Sequence, residues 1–265
     1  MNRVKIGICL ASLGLPLRRG LAEAERMGVT GVRVDAVGEL SPKTLSQTGR
    51  REFLHLLRSY NLELCALNCP LRHGLDTAEG QDLRIEHVQR VLSLSFDLGA
   101  RLVTIAAGSI PEKLDEPRGL RLTEAFQAIG RYGDRTGTVL AVESGAEEGK
   151  SLRGFLERFD TGSLAVNLDP ANFVVNGLDP YENTRALQGK AAFAHAKDAR
   201  KTAGSRVAQE VALGHGEIDW MRYLSVLEEI EYRNWLTIVS RSSEQRTEEV
   251  AVGVKFLKRL MRQDG

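Results

Sequence analysis

The sequence predicts an α/β protein that folds as a single (β/α)8 barrel. The chain has 265 residues, which is close to the size of one such barrel and requires no second domain. Short apolar runs alternate eight times with longer segments of helical periodicity. The segment after the first run, residues 12–16, lacks the glycine-rich GxGxxG loop with which doubly wound open sheets usually begin. We therefore expect residues 1–265 to form one barrel domain.

The predicted strands are short and rich in β-branched and other apolar residues. Most are continuous apolar runs and do not alternate strictly, which is typical of a parallel sheet covered by helices. The eight predicted strands are residues 4–11, 31–37, 62–68, 101–107, 139–143, 164–169, 191–195 and 235–239.

The segments between the strands have the periodicity of amphipathic helices. In residues 85–99, for example, Val88, Val91 and Leu92 recur at helical spacing and charged residues lie opposite them. Several segments end in a glycine shortly before the next strand, which is the usual residue at a helix C-terminus. These glycines are Gly28, Gly99, Gly137 and Gly189.

Composition and charge exclude several classes of function. The chain has 36 Lys and Arg against 35 Asp and Glu, a net charge of +1, whereas nucleic-acid-binding proteins usually carry a marked basic excess. No apolar run approaches the ~20 residues that cross a bilayer, and the first residues do not resemble a signal peptide. Three cysteines fit a reducing compartment. We expect a cytoplasmic protein that binds neither nucleic acid nor membrane.

Polar residues end five of the predicted strands. They are Asp35, Asn68, Glu143, Asp169 and His195, and catalytic groups of barrels lie at these carboxyl ends. The last three end the fifth, sixth and seventh strands, so the barrel makes them neighbours. Two carboxylates and one imidazole form a good ligand set for Mn²⁺, Mg²⁺, Co²⁺ or Zn²⁺. The alternative is that each carboxylate only caps the helix or loop that follows it.

Four segments of the chain resemble those of a known family. They read Ala-Val-Glu at 141–143, Asn-Leu-Asp-Pro-Ala-Asn at 167–172, His-Ala-Lys-Asp at 195–198 and Leu-Gly-His-Gly-Glu-Ile-Asp-Trp at 213–220. The chain resembles the xylose-isomerase-like, or AP-endonuclease-2-like, TIM barrels over nearly its whole length, most firmly over 140–220. That superfamily includes isomerases of sugars and sugar phosphates, ketose 3-epimerases, inosose isomerases and dehydratases, and endonuclease IV.

The resemblance implies a divalent metal held by Glu, Asp, His and Glu from the fifth to the eighth strand. Glu143, Asp169 and His195 match the first three ligands. At the fourth position this chain has Val239, which cannot coordinate a metal. In the epimerases of the family that glutamate is also one of two acid/base groups. The resemblance thus implies a site that binds its metal weakly.

Other residues near the predicted strand ends are candidates for the site. Glu210 precedes the Leu-Gly-His-Gly loop and could take the vacant ligand position. Lys197 could hold a substrate oxygen or phosphate, or could instead form a salt bridge with a neighbouring carboxylate. Asn172 stands where the family usually has a histidine, and with His215 and Asn68 it is a candidate for binding substrate hydroxyls.

The segment after the eighth predicted strand offers four further polar residues. Ser240 and Glu244 could compensate for the missing ligand, and Arg241 and Arg246 could supply positive charge for an anion. Ser240 and Glu244, like Glu210 and His215, are each more often surface residues than ligands, and Arg241 and Arg246 are candidates only.

The resemblance implies an isomerase or epimerase that acts on a sugar, a sugar phosphate or a cyclitol. Glu143 would abstract a proton next to a carbonyl, and Lys197 would assist at the reacting oxygen. One alternative is a lyase that dehydrates a keto-sugar or keto-cyclitol, and another is a non-catalytic sugar-binding barrel that has lost its fourth ligand. Barrels of this family often form homodimers, so a homodimer is a further expectation.

Endonuclease activity is the least supported of the family's functions. Endonuclease IV needs histidines at the ends of the third and fourth strands, and this chain has Asn68, Ala106 and Ala107 there. Its balanced charge also argues against a DNA substrate.

Overall fold

The computed structural model describes residues 4–201, 208–240 and 246–263. Within these residues, eight parallel strands form a closed barrel in the order β1, β10, β7, β6, β5, β4, β3, β2. The barrel strands are β1 Lys5–Cys9, β2 Gly31–Asp35, β3 Glu63–Asn68, β4 Leu102–Ile105, β5 Val139–Glu143, β6 Leu164–Leu168, β7 Ala191–Ala196 and β10 Trp235–Ile238. The predicted (β/α)8 barrel is confirmed.

Helices surround the barrel. Those in the described residues are α1 Leu17–Arg26, α2 Gln47–Ser59, α3 Gln81–Asp97, α4 Pro117–Thr136, α5 Gly149–Leu156, α6 Pro170–Val175, α7 Pro180–Ala186, α8 Trp220–Glu229 and α9 Arg246–Gln263. None of them combines the length and the apolar character that a membrane crossing would need.

The sequence patterns for helices agree with the structure. On α3, Val88, Val91 and Leu92 are fully buried, as the helical spacing predicted. Helix α4 ends at Gly137, whose φ of 67° lies in the left-handed region that favours glycine. The local pattern therefore identified both helices, although α3 begins at Gln81, before the predicted start at residue 85.

Two local features differ from the predicted strands. The first strand was expected over residues 4–11, but β1 ends at Cys9 and a 3-10 helix, Leu10–Leu13, follows. After β7, an antiparallel hairpin forms from β8, Asp198–Lys201, and β9, Ala208–Val211, which the sequence did not predict. The hairpin was missed because its short strands mix alanine with charged and polar residues and give no apolar run.

The amino end of the barrel interior is filled by an indole ring. A Cβ at Gly31 would overlap the ring of Trp235, although these residues lie on strands separated by β1. Gly7 on β1 likewise leaves room for Trp235 and for the methyl group of Thr237. Since side chains two residues apart share one face of a strand, Thr237 and then Val239 follow Trp235 along the interior. The Lys5 ammonium lies over the Trp235 ring at the amino end, 4.9 Å from its centroid, whereas Arg33, Asp169 and His195 lie toward the carboxyl end.

Candidate active site

Three of the predicted ligands meet at the carboxyl end of the barrel. Glu143 ends β5, Asp169 directly follows β6, and His195 lies one residue before the end of β7. One ligand atom of each lies within 4.8 Å of the others. Asp169 and His195 are 0% and 1% exposed, whereas Glu143 is partly exposed. Glu143 is therefore the member of this cluster that a bound molecule can reach.

Asp169 is held by a helix N-terminus and two side chains. Its Oδ1 accepts a hydrogen bond from the backbone N–H of Asn172 at 3.0 Å, which caps α6. Its Oδ2 lies 3.2 Å from Nδ1 of His195 and 3.3 Å from Nζ of Lys197. Burial by itself raises the pKa of this carboxyl, but the Lys197 ammonium and the His195 hydrogen bond outweigh it and lower the pKa to about 2. Asp169 is therefore a carboxylate at neutral pH.

His195 is neutral and carries its proton on Nδ1. Its Nε2 lies 2.9 Å from Nη1 of Arg33 and 3.1 Å from Nδ2 of Asn167. An arginine nitrogen can only donate, so Nε2 accepts and the ring proton is on Nδ1, where it is donated to Asp169. Burial and the neighbouring guanidinium lower the pKa of His195, which favours the neutral ring.

Lys197 connects Asp169 to the exposed part of the cluster. Its Nζ donates to Oδ1 of Asn172 at 2.9 Å and lies 3.5 Å from Oε2 of Glu210. Burial lowers the pKa of Lys197, but the charges of Asp169 and Glu210 raise it above its ordinary value. Asn172 in turn donates through Nδ2 to Oε1 of Glu143 at 2.8 Å. Thus one hydrogen-bonded chain links the ammonium to the Glu143 carboxylate.

The fourth ligand position contains no metal donor. Val239 is buried, and its backbone N–H donates to the carbonyl of Ala196 at 3.2 Å, so the pairing of β10 with β7 continues to this residue. Glu210 lies on β9, where its carboxylate faces Lys197, and it is not a member of the Glu143–Asp169–His195 group. Its role as a ligand remains a prediction.

Two other predicted residues lie away from the cluster. His215 is exposed, and its side chain forms no hydrogen bond with any residue the structure describes. Asn68 donates through Nδ2 to Oδ1 of Asp35 at 2.9 Å and accepts from Oγ1 of Thr104 at 3.1 Å. Asn68 therefore orients Asp35, and substrate binding by Asn68 or His215 remains a prediction.

The polar residues predicted after the last barrel strand are described only in part. Arg241 and Glu244 lie outside the described residues, whereas Ser240 donates through Oγ to Oε2 of Glu249 at 2.7 Å.

Sequence reasoning missed the role of Asp198. Its buried carboxylate accepts hydrogen bonds from the backbone N–H groups of Gly214, Gly216 and Ile218 and from the indole of Trp220. A Cβ at Gly216 would overlap this carboxylate, which explains the glycine. The His-Ala-Lys-Asp segment and the Leu-Gly-His-Gly loop are therefore one structural unit. Their joint appearance in the sequence was the signal that could have shown it.

Arg33 was also missed, although it lies at the centre of the barrel. It is 2% exposed and contacts Oγ1 of Thr104 at 3.2 Å, Nε2 of His195 at 2.9 Å and Sγ of Cys9 at 2.9 Å. A charged residue between Val32 and Val34 of a predicted strand was the available signal.

Comparison with known families agrees with this arrangement. A family model described as the xylose isomerase-like TIM barrel matches residues 21–260. The chain belongs to the xylose isomerase-like TIM barrel family. This confirms the resemblance inferred from the four segments. No curated protein matches the chain.

Solved structures of xylose isomerase-like barrels superpose over nearly the whole chain. A xylose isomerase domain protein from Planctomyces limnophilus has a TM-score of 0.84 at 24% identity, covering 92% of each chain. An L-ribulose 3-epimerase has a TM-score of 0.80 at 16% identity, covering 98% of this chain and 95% of its own. The probable 3-DHS dehydratase AsbF from Bacillus anthracis has a TM-score of 0.77 at 16% identity, covering 96% and 99%. Identities this low establish the shared fold alone.

The donor set of this xylose isomerase-like barrel fits a divalent metal in part. Glu143, Asp169 and His195 could bind one, since their donor atoms converge. Coordination through Nδ1 of His195 requires its proton to move to Nε2. Asn167 has a buried Oδ1 without a hydrogen-bond partner, which could accept a hydrogen bond from the Nε2–H group after rotation of the amide. Arg33 opposes this tautomer, because its Nη1 already donates to Nε2.

Proposed function

We propose that the chain is a sugar isomerase that transfers a proton next to a carbonyl, with Glu143 as the base. Its substrate would be a sugar, a sugar phosphate or a cyclitol. The observation that carries the proposal is the position of Glu143. Its carboxylate is partly exposed, is oriented by Asn172 at 2.8 Å, and lies within 4.8 Å of donor atoms of Asp169 and His195.

The other residues of the cluster have distinct parts in this proposal. Glu143, Asp169 and His195 would hold a divalent metal, which when bound supplies Lewis-acid stabilisation of the enediolate oxygen. Lys197 stays protonated and would hold a substrate oxygen. Asn172 keeps the Glu143 carboxylate oriented toward the proton that is removed.

One base favours chemistry on one face of the substrate. Epimerisation at a single carbon removes a proton from one face and returns it to the other, so it requires two acid/base groups. The second position has Val239, which can neither accept nor donate a proton. Aldose–ketose isomerisation moves the carbon-bound proton to the neighbouring carbon on the same face, so Glu143 suffices as the base at carbon, while the hydroxyl proton passes from one substrate oxygen to the other.

Elimination of water from a keto-sugar or keto-cyclitol is the second candidate, and the same observation favours it. This reaction also begins with removal of a proton next to a carbonyl. The Lys197 ammonium, linked to Glu143 through Asn172, could then protonate the departing hydroxyl.

The test combines exchange and product analysis. Ketoses and keto-cyclitols are incubated with the protein and Mn²⁺ in D₂O, and NMR follows deuterium incorporation and products. We expect isomerised or dehydrated product, and a rate reduced by at least about 100-fold in Glu143→Gln, as is typical for loss of a general base. The matched control is Glu148→Gln, an exposed glutamate on the following loop, which should keep the full rate.

The possible results separate the candidates. A new aldose identifies the isomerase, and loss of water identifies the lyase. Turnover that persists in Glu143→Gln would contradict the assigned base. Sugar binding without exchange and without stoichiometric metal would instead indicate a non-catalytic binding barrel.

A further inference from the structure

A second feature of the barrel mouth lies beside the Glu143 cluster. It is a cavity of about 350 Å³ at the carboxyl ends of β1, β2 and β10. The residues that matter for the inference are Cys9, Ser12, Arg33, Asp35, Ser240 and Arg246, all of which line it. Arg33 joins the cavity to the cluster, because its Nη1 contacts His195.

Arg33 is a buried cation that no carboxylate contacts directly, although the charges of Glu143 and Asp35 act on it from farther away. Within the ranges that the structure describes, no carboxylate oxygen lies within 4.0 Å of its guanidinium. Its contacts are a hydroxyl, a ring nitrogen and a sulfur, and its Nε has no hydrogen-bond partner. Burial of a charge is unfavourable unless a counter-charge accompanies it. An anion in the cavity would provide that counter-charge.

Arg246 brings a second guanidinium to the same cavity. It lies on α9 and lines the space together with Ser240. The wall around it is fixed by two hydrogen bonds. Thr247 donates through Oγ1 to the carbonyl of Leu13 at 3.1 Å, and the Ser240 N–H donates to Oγ of Ser12 at 3.1 Å.

We propose that this cavity binds the anionic group of the substrate, a phosphate or a carboxylate, between Arg33 and Arg246. Guanidinium groups match the geometry of such oxyanions. The inference deepens the proposed function, on which it rests for the reaction, by specifying an acidic sugar as the substrate class. Through Arg33, the anionic group would be anchored next to His195 and thus beside the reacting carbon.

Asp35 makes the cavity selective. Its carboxylate also lines the space, is oriented by Asn68, and would repel a bare anion. The same carboxylate accepts hydrogen bonds from sugar hydroxyls. A polyol that carries one anionic group therefore matches the lining better than inorganic phosphate does.

The experiment measures binding without requiring turnover. Isothermal titration calorimetry compares D-fructose, D-fructose 6-phosphate, D-gluconate and inorganic phosphate. We expect fructose 6-phosphate or gluconate to bind at least about tenfold more tightly than fructose, as a charge-assisted contact allows. Whichever of the two binds more tightly identifies the anionic group as phosphate or carboxylate. Inorganic phosphate should bind more weakly than the preferred sugar derivative.

Variants test which residues are responsible. Arg246→Gln should weaken binding of the preferred anion about fivefold or more, and Arg33→Met should weaken it further. Arg33 is in the core and its replacement could prevent folding, so the exposed Arg246 decides the test. The matched control is Arg131→Gln, an exposed arginine on α4 toward the opposite end of the barrel, which should bind as the wild type does.

The outcomes distinguish this inference from the proposed function. Equal affinity for fructose and both acidic sugars, or unchanged affinity in Arg246→Gln, would overturn the anion site even if neutral ketoses are isomerised. Arginine-dependent binding of an acidic sugar without any exchange in D₂O would support the site and contradict the isomerase.

Discussion

Nη1 of Arg33 lies 2.9 Å from Nε2 of His195, on the far side of the imidazole from Asp169. This contact determines the tautomer of the ring and brings a positive charge close to the candidate metal ligands. A metal at this position must therefore compete with a guanidinium and also lacks the ligand that Val239 replaces. Both facts lead us to expect that any metal binds weakly.

Restoring the fourth ligand should strengthen metal binding. We expect Val239→Glu to lower the Kd for Mn²⁺ by at least about tenfold, since even residues that only support ligands typically contribute 10- to 100-fold. Titration followed by electron paramagnetic resonance measures the free ion. The control is Val239→Gln, which has similar size without the charge. Equal affinity of the two variants would show that the position no longer points at the cluster.

The Asp169 carboxylate should stabilise the fold in a pH-dependent manner. Asp169→Asn leaves the buried Lys197 ammonium with Glu210 as its remaining salt-bridge partner, so we expect a loss of about 3 kcal/mol in the free energy of unfolding at pH 7. The pKa of Asp169 is lowered to about 2, against ~3.9 in an unfolded chain. Its contribution is therefore complete above about pH 4 and is lost as the pH falls toward 2.

Urea unfolding of both proteins at several pH values measures this difference. The gap between wild type and Asp169→Asn should narrow as the pH falls from 4 to 2. A gap that is constant over this range would mean that the ionisation of Asp169 does not contribute to stability.

Asp198 should hold the loop that carries His215. Asp198→Asn replaces a carboxylate that accepts from Gly214, Gly216 and Trp220 with an amide, and we expect a loss of about 1.5–3 kcal/mol in the free energy of unfolding. Hydrogen exchange should increase at residues 213–220 more than elsewhere. Asp160→Asn, an exposed control, should change neither measurement.

Cys65 and Cys69 should be unreactive in the folded protein. Cys9, Cys65 and Cys69 are free and buried, and burial raises the pKa of Cys69 to about 12 and that of Cys65 still further. Labelling with a thiol-reactive disulfide reagent at pH 8 should therefore be slow for Cys65 and Cys69 in the native protein. In denaturant, all three thiols should be labelled completely. Rapid labelling of Cys69 in the native state would contradict the described burial.

The proximity of Glu143, Asp169 and His195 could be predicted from the sequence because parallel strands bring their carboxyl ends to one rim. Arg33 could not be placed in the same way. A residue within an apolar strand faces either the interior or the helices, and the direction depends on strand register, which shifts between Val32 and Arg33 where β2 pairs with β3. Whether an interior charge is tolerated depends in turn on contacts from three other strands.

Asp198 illustrates a second limit of the sequence. Its partners are mainly backbone N–H groups, which every residue except proline possesses, so no residue type marks them in advance. The hairpin of β8 and β9 is a similar case, because its short strands mix apolar with polar residues and no sequence pattern marks their pairing.

The indole that fills the amino end of the barrel has a consequence for the opposite end. Trp235 occupies the volume that a side chain at position 31 would need, so β2 and β10 share one space across β1. Arg33 follows Gly31 by two residues on β2, and Thr237 follows Trp235 by two residues on β10. The positions of both side chains along the barrel axis therefore depend on how the indole packs against Gly31. A bulkier residue at position 31 would displace β2 away from Trp235 and move the Arg33 guanidinium relative to His195. The positions of side chains at the carboxyl end thus depend on packing at the amino end. Mutations there, far from any candidate ligand, should alter the candidate site.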